Sequence, residues 1–433
     1  MSLKLAASLL GQRRYAPLWA AQTLGAFNDN LFRYTLVTLA AYEGLTVFGL
    51  PREEMAPIAT AMFTIPIFLF SAVAGQVADR YDRTKIMRTT KFAEIFLMAI
   101  ATAGFLLNQP ILLLLTLFLM GVQTAVFLPA RTSAMPTLLD KSELVTGNAT
   151  LSGAVNVAIL LGAIGGTLLI APDWGIHVVC GLLLVCAVIG WVAMREGAPA
   201  KASNPDMKIR WNIVFETVKL LGVIVRAPRV LRPALGVAWF WTLAAAVLAV
   251  LPLFVRDVMG GAPSAVTIFQ VLFTIGAALG ALITGALNKG GEGQSFTILG
   301  AFGLLVFPLF IALSTLDRSP GETLLEAPAF VAQPENLPII VALFFSALAG
   351  GLFLVPMQAM TQGRADPERR GRLLAAANIL NGAGASMGPF VLVALSRAEL
   401  PIQGVFVFVA LGSGLVGLVA LARSLSRTRE AAA

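Results

Sequence analysis

Apolar residues in this chain come in twelve long runs, at roughly 17–42, 56–78, 86–107, 110–130, 145–171, 174–194, 233–255, 264–287, 295–316, 338–360, 371–396 and 401–423. Each is close to the ~20 residues that a helix needs to cross a bilayer core. The widest polar gap, 195–232, contains Lys201, Ala202, Ser203, Asn204, Pro205 and Asp206. It separates six runs from six. The pattern predicts an all-α integral membrane protein of twelve transmembrane helices. A first six-helix bundle is expected over 1–197, a linker over 198–231 and a second bundle over 232–433. Within the linker, Ile209, Trp211, Val214, Phe215, Val218, Leu221 and Val225 fall near one helical face, and Asn212, Glu216, Lys219 and Arg226 on the other. That predicts an amphipathic helix at the cytoplasmic surface. A thirteenth span would place Glu216 and Lys219 in hydrocarbon, at a cost of several kcal/mol each.

The halves echo one another. Phe127-Leu128-Pro129, a polar loop and Asn148 in a Gly/Ala-rich run are matched by Leu354-Val355-Pro356, a polar loop and Asn378. Parallel six-span repeats of this kind form transporters, with the substrate cavity where the repeats meet.

Composition narrows the class. The chain has 433 residues, 58% hydrophobic and only 12% charged, about half the charge of an average soluble protein. A soluble enzyme, a disordered chain and a collagen-like fibre are excluded. The formal charge of +8 does not indicate nucleic acid, because the basic residues sit between the apolar runs. With the N-terminus inside, the predicted cytoplasmic segments, among them Lys85, Arg88 and Lys91, hold 26 of the 31 Lys and Arg, and the outer segments hold Arg52, Arg256, Arg318 and Arg397. This bias orients the chain with both termini cytoplasmic. The first 16 residues lack an apolar core followed by a small-residue cleavage site, so the first run is expected to be retained. Cys180 and Cys186 lie six apart on one helix, about 9 Å in rise, too far for a disulfide, and are expected as buried thiols. With a single histidine, no metal or cofactor site is expected. His177 is read as interfacial, and Trp239 and Trp241 as belt anchors first and cavity walls second.

Between the second and third runs stands Gly75-Gln76-Val77-Ala78-Asp79-Arg80-Tyr81-Asp82-Arg83-Thr84-Lys85. Gly75, Asp79, Arg80, Arg83 and Lys85 resemble motif A of the major facilitator superfamily, with Asp82 where glycine is usual. The resemblance implies two pseudo-symmetric six-helix bundles and a cytoplasmic gate at these five residues. Gly75 is expected to admit a neighbouring helix, Asp79 to sit at a helix N-terminus, and Arg83 to pair with a carboxylate across the halves. The loop after the eighth run, around Asn288-Lys289-Gly290, lacks the motif.

The first run carries Gln22, Asn28, Asp29, Asn30 and Arg33. Gln22, Asp29 and Arg33 share one helical face, and Asp29 and Arg33 are spaced to pair. An ionisable group within a span is by default a functional-site hypothesis; the alternative is a salt bridge that only holds helices together. Glu94 is read first as reaching the cytoplasmic side beside Lys91. Gln123, Asn148, Asn156, Gln270, Gln358, Asn378 and Asn381 either line a cavity or bond helix to helix. No P-loop, H-x-x-x-x-D or HExxH motif occurs, so no enzyme activity is expected.

Three stretches together resemble the lysophospholipid transporter family. They are Ala21-Gln22-Thr23-Leu24-Gly25-Ala26-Phe27-Asn28-Asp29-Asn30, then Gly75-Gln76-Val77-Ala78-Asp79, and the stretch from Pro129-Ala130-Arg131 through Leu144-Val145-Thr146-Gly147-Asn148 to Ile159-Leu160-Leu161-Gly162. The first is similar to the transporter half of fusions that carry an acyltransferase. The resemblance implies movement of lysophosphatidylethanolamine or lysophosphatidylglycerol from the outer to the inner leaflet of the bacterial inner membrane, where a cytoplasmic acyltransferase is a partner. Substrate contacts are then expected from Gln22, Asn28, Asp29, Asn30, Arg33, Gln123, Asn148, Gln358 and Asn378. Asp29 would meet an ethanolamine ammonium and Arg33 the phosphate. Two alternatives stand beside this reading: an efflux carrier for drugs or a siderophore, and a non-transporting partner that recruits an acyltransferase.

Overall fold

The computed structural model describes residues 3–140, 143–287, 293–321, 323–366 and 369–432. Lys141 and the loop at Asn288-Lys289-Gly290 lie outside them.

The fold is all-helical. After a short α1 (Leu3–Leu10) come α2 (Ala16–Glu43), α3 (Arg52–Arg80), α4 (Arg83–Leu106), α5 (Pro110–Leu138), α6 (Leu144–Leu168) and α7 (Gly175–Arg195). The linker holds α8 (Ile213–Val225). The second half comprises α9 (Pro228–Asp257), α10 (Pro263–Leu287), α11 (Gln294–Ser314), a short α12 (Ala327–Ala332), α13 (Leu337–Gly363), α14 (Arg370–Met387), α15 (Phe390–Arg397) and α16 (Gly404–Ala432). Every apolar run is thus a helix. The eleventh is divided into α14 and α15 at Gly388-Pro389, where proline removes a backbone donor. Eleven helices among the described residues are long and apolar enough to cross a membrane. The twelfth, α2, has the length and lacks the hydropathy, because its polar residues interrupt it.

Helix ends follow local chemistry. Pro17 opens α2, and Gly44, at φ 71°, closes it by donating to the Leu39 carbonyl, the left-handed stop that glycine permits. Asp82 caps α4, its Oδ1 accepting from the Lys85 amide at 2.9 Å.

The chain forms two compact units, Met1–Leu50 with Ala59–Lys219, and Pro51–Ile58 with Leu220–Ala433. In the first, α2 packs on α6 and α7, and α4 on α5 and α7. In the second, α9 packs on α14, α11 on α13 and α16, and α10 on α13. The first–fifth, third–fourth and third–sixth span pairings therefore recur, as the sequence echo leads one to expect. The close pairs depend on absent side chains: a Cβ on Gly162 of α6 would stand 2.5 Å from the Phe27 carbonyl of α2, and one on Gly384 of α14 would collide with the Ala238 carbonyl of α9. Small residues let membrane helices approach in this way. In the second unit Arg397 donates from Nε and Nη2 to the buried Glu54 carboxylate, at 2.9 and 3.2 Å.

The linker helix forms, with one residue of its polar face turned inward while Asn212, Lys219 and Arg226 stay exposed. Glu216 and Thr217 are buried, whereas Trp211, Val214, Phe215, Val218 and Val225 are exposed. Glu216 had been placed on the polar face. Here Gln76 of α3 donates to it at 3.3 Å, and Arg210 pairs with it at 3.6 Å, so its polar partners turn it inward.

Candidate functional site

A cluster of ionised and amide side chains lies inside the first unit, built from α2, α4 and α5. Its centre is Glu94, only 3% exposed. Glu94 Oε2 accepts from Lys91 Nζ at 2.5 Å and from Gln123 Nε2 at 3.0 Å, and Oε1 accepts from Asn28 Nδ2 at 3.4 Å. Asn28 also donates to the Leu183 carbonyl of α7 at 3.0 Å. Lys91, 2% exposed, has its ammonium 5.4 Å from the centre of the Phe127 ring. Room for it comes from Gly25 of α2, where any Cβ would strike the Lys91 ammonium. Lys91 and Glu94 are three apart on one helix face, the spacing at which side chains meet.

This overturns two expectations. Lys91 does not belong with the cytoplasmic loop charges, and Glu94 does not reach the membrane surface. Each satisfies the other inside the bundle, where an unpaired charge would be far more costly. The signal was available in sequence, as opposite charges at i and i+3 within an apolar run facing a glycine on the first span.

Asp29 and Arg33 are not ion-paired, contrary to expectation. Arg33 donates to the Asn30 side-chain oxygen at 2.8 Å and lies over the rings of Tyr34 and Phe63, at 5.1 and 5.9 Å. A partner three residues back and two aromatic faces outcompete the acid four back. Asp29 instead accepts only a long bond, 3.5 Å, from the Thr124 hydroxyl. Thr124 was not anticipated. Of the two acids in the cluster, Glu94 is held by three donors and Asp29 by one.

The remaining candidates fall in three places. Gln22 is half-buried on α2, and its Oε1 is buried without a hydrogen-bond partner. Asn148 is exposed near the start of α6 and donates back to the Leu144 carbonyl at 2.9 Å, so it is not part of the cluster. Gln358, half-buried on α13, and Asn378, exposed on α14, belong to the second unit. There Phe240, Leu243, Phe273, Leu304, Phe406 and Val409 help line an apolar cavity of about 40 Å³. Trp239 packs against Phe408 and over Gly412 inside that unit, so it is not a belt anchor, whereas Trp241 is 39% exposed.

The motif loop engages the linker. Arg83 Nη1 donates to the Lys201 carbonyl at 2.8 Å and Nη2 to the Ser203 hydroxyl, while the Arg83 amide donates to the Ala200 carbonyl at 2.9 Å. Ser203 donates to Asp79 Oδ1 at 3.2 Å, and the Asn204 amide to the Asp79 carbonyl at 2.9 Å. Arg83 thus meets a carbonyl and a hydroxyl in place of the expected carboxylate. Among the described residues nothing stands within 4 Å of where a Gly75 Cβ would be. Arg80 lies over the Tyr81 ring at 5.5 Å.

Comparison with known proteins places this geometry. The chain is 26% identical over 413 residues to the lysophospholipid transporter LplT of Escherichia coli O157:H7, covering 93% of this chain and 92% of the relative. Identity to the LplT of Shigella flexneri is 26% over 412 residues, with the same coverage. Among solved structures, the peptide transporter POT bound to alafosfalin aligns with a TM-score of 0.74, at 14% identity and 98% coverage of both chains. A bacterial homologue of the human lysosomal transporter Spinster aligns at 0.62, with 16% identity and 95% coverage of both. The sequence profile of the Major Facilitator Superfamily matches residues 18–331. By that match the chain is a multi-pass membrane transporter, and not an enzyme, belonging to the Major Facilitator Superfamily.

Proposed function

We propose that this protein carries lysophospholipids from the outer to the inner leaflet of the bacterial inner membrane by alternating access, supplying them for re-acylation. Lysophosphatidylethanolamine or lysophosphatidylglycerol is the substrate, and a cytoplasmic lysophospholipid acyltransferase is the consumer of the product. The observation that carries the reading is the state of the two acids in the first unit of a chain similar over most of its length to LplT. Glu94 is saturated by Lys91, Gln123 and Asn28, whereas Asp29 holds a single long bond. A carboxylate so placed in a bundle core retains most of its capacity to accept hydrogen bonds from a cation. An ethanolamine ammonium supplies such donors. Arg33, one turn further along α2, offers a guanidinium to the phosphate, the pairing for which its planar fork is suited. Gln22, Asn28, Asn30 and Gln123 frame the head group on α2 and α5. Residues 75–85 form the cytoplasmic gate.

The test is uptake of labelled lysophosphatidylethanolamine into proteoliposomes, with and without imposed proton and sodium gradients. The wild type should accumulate lysolipid, and Asp29→Ala should abolish uptake while the protein remains monodisperse with an unchanged thermal midpoint. Normal uptake by Asp29→Ala would remove Asp29 from the site. Export of a cationic dye in place of lysolipid uptake would refute the substrate assignment.

A further inference from the structure

The Lys91–Glu94 pair takes no part in head-group binding as proposed above, and its surroundings indicate what it replaces. The Lys91 ammonium contacts Glu94 Oε2 at 2.5 Å and faces Phe127 on α5. The carboxylate is held further by Gln123 of α5 and Asn28 of α2. Asn28 is wholly buried, and its Oδ1 has no hydrogen-bond partner among the described residues. Asp29 of α2 brings a second carboxylate and Arg33 a second cation, and from α7 the Cys186 thiol shares the electrostatic field of Glu94 and Lys91. The Lys91 ammonium is therefore the cation in contact with Glu94, beside amide groups, in a space kept open by Gly25. Carboxylate and amide oxygens also suit hard metal cations. The tether is what distinguishes this cation from a diffusible one: the lysine side chain cannot leave the bundle without abandoning a buried carboxylate.

We propose that Lys91 is a built-in cation, its ammonium occupying at Glu94 the place that a Na⁺ ion would otherwise take, so that this buried acid draws on no ion gradient. Lys91 is a positioning residue in this account. It occupies the Glu94 carboxylate, which Gln123 and Asn28 also bond, and so keeps Glu94 from competing with Asp29 for an incoming cation.

The experiment compares wild type, Lys91→Met and Lys91→Met/Glu94→Gln by thermal unfolding in detergent, in choline chloride against sodium chloride at equal ionic strength and fixed pH. No lysolipid is present, so the result is independent of the substrate assignment. The wild-type midpoint should be the same in both salts. Lys91→Met should melt lower in choline and recover by ~5 °C or more when Na⁺ is about a hundredfold above its dissociation constant. The double variant, with no charge left to compensate, should fold and ignore Na⁺. A wild type stabilised by Na⁺ as strongly as Lys91→Met overturns the proposal. So does a Lys91→Met protein indifferent to Na⁺ or rescued only by acid, one that folds in neither salt, or a double variant that responds to Na⁺ like the single one.

Discussion

Removal of the Glu94 carboxylate should strongly destabilise the first unit, and the structure gives the size of the effect. In Glu94→Ala the Lys91 ammonium, with its side chain 3% exposed, loses the only ion pair it makes among the described residues. Deleting one partner of a buried pair costs ~3–5 kcal/mol, because a bare charge is left behind. Gln123 and Asn28 lose an acceptor as well, but these losses share one carboxylate and do not add to the first. Replacing both charges with methionine removes the cause, and substituting a buried pair by well-packed apolar groups is often neutral. Lys91→Met/Glu94→Met should therefore lie within ~1–2 kcal/mol of wild type, so that the two single deletions together exceed the double by about 4 kcal/mol or more. The assay is denaturant-induced unfolding in mixed micelles, applied to Glu94→Ala and to the cycle of wild type, Lys91→Met, Glu94→Met and Lys91→Met/Glu94→Met. A Glu94→Ala protein within ~1 kcal/mol of wild type would refute the buried pair, given the usual cost of such a deletion. A double variant as unstable as the two singles summed would refute the coupling.

Other predictions follow from single contacts. Gly162→Leu should drive α6 from α2 and prevent accumulation of folded protein, whereas Gly181→Leu, with nothing within 4 Å of its Cβ, should purify normally; detergent size-exclusion profiles decide between them. Asp82→Ala should lose the cap on Lys85 and cost ~0.5–2 kcal/mol, while Asp82→Gly, which restores the motif's usual residue, should cost only about a few tenths; a reversed order in melting temperature would remove the capping role. Tyr15→Phe should cost ~1 kcal/mol, since the buried hydroxyl donates to the Gly147 carbonyl at 2.7 Å and lies 2.7 Å from the Thr150 hydroxyl; an unchanged midpoint would show these bonds to be idle.

The fold was legible because a bilayer imposes one constraint on every span, a run of some twenty apolar residues that satisfies its own backbone. Each run became a helix, and even α2, too polar to pass on hydropathy, was found by length and position. The site was legible only in part. Asn28, Asp29, Arg33 and Gln123 come together in the first unit, because periodicity assigns a polar face to α2 and a glutamine to α5. Which acid takes which base is decided by matters that periodicity does not encode: the clearance at Gly25 that admits Lys91, and the Tyr34 and Phe63 rings that draw Arg33 away from Asp29. The linker shows the same limit. A helix around Ile213–Val225 follows from the pattern, but the inward turn of Glu216 depends on Gln76 and Arg210, one of them far away in sequence.

The cluster built from α2, α4 and α5 holds two acids and two bases, Asp29, Glu94, Arg33 and Lys91, and their pairing decides what it can offer a ligand. Had Asp29 closed on Arg33 as spacing suggests, and Glu94 escaped to the surface, the core would hold one self-satisfied pair and little to offer a ligand. The observed assignment is different. Lys91 and Glu94, within one turn of one helix, neutralise each other at no cost in mobility for α2. Asp29 and Arg33, on α2 itself, are held by weaker and more exchangeable partners, a hydroxyl at 3.5 Å, an amide oxygen and two ring faces. A substrate bearing an ammonium and a phosphate can displace such partners without breaking a buried ion pair, the step that would otherwise dominate the energetics of binding. The cost of keeping charges in a membrane bundle is thus met by one pair, and the head-group binding proposed above draws on the other.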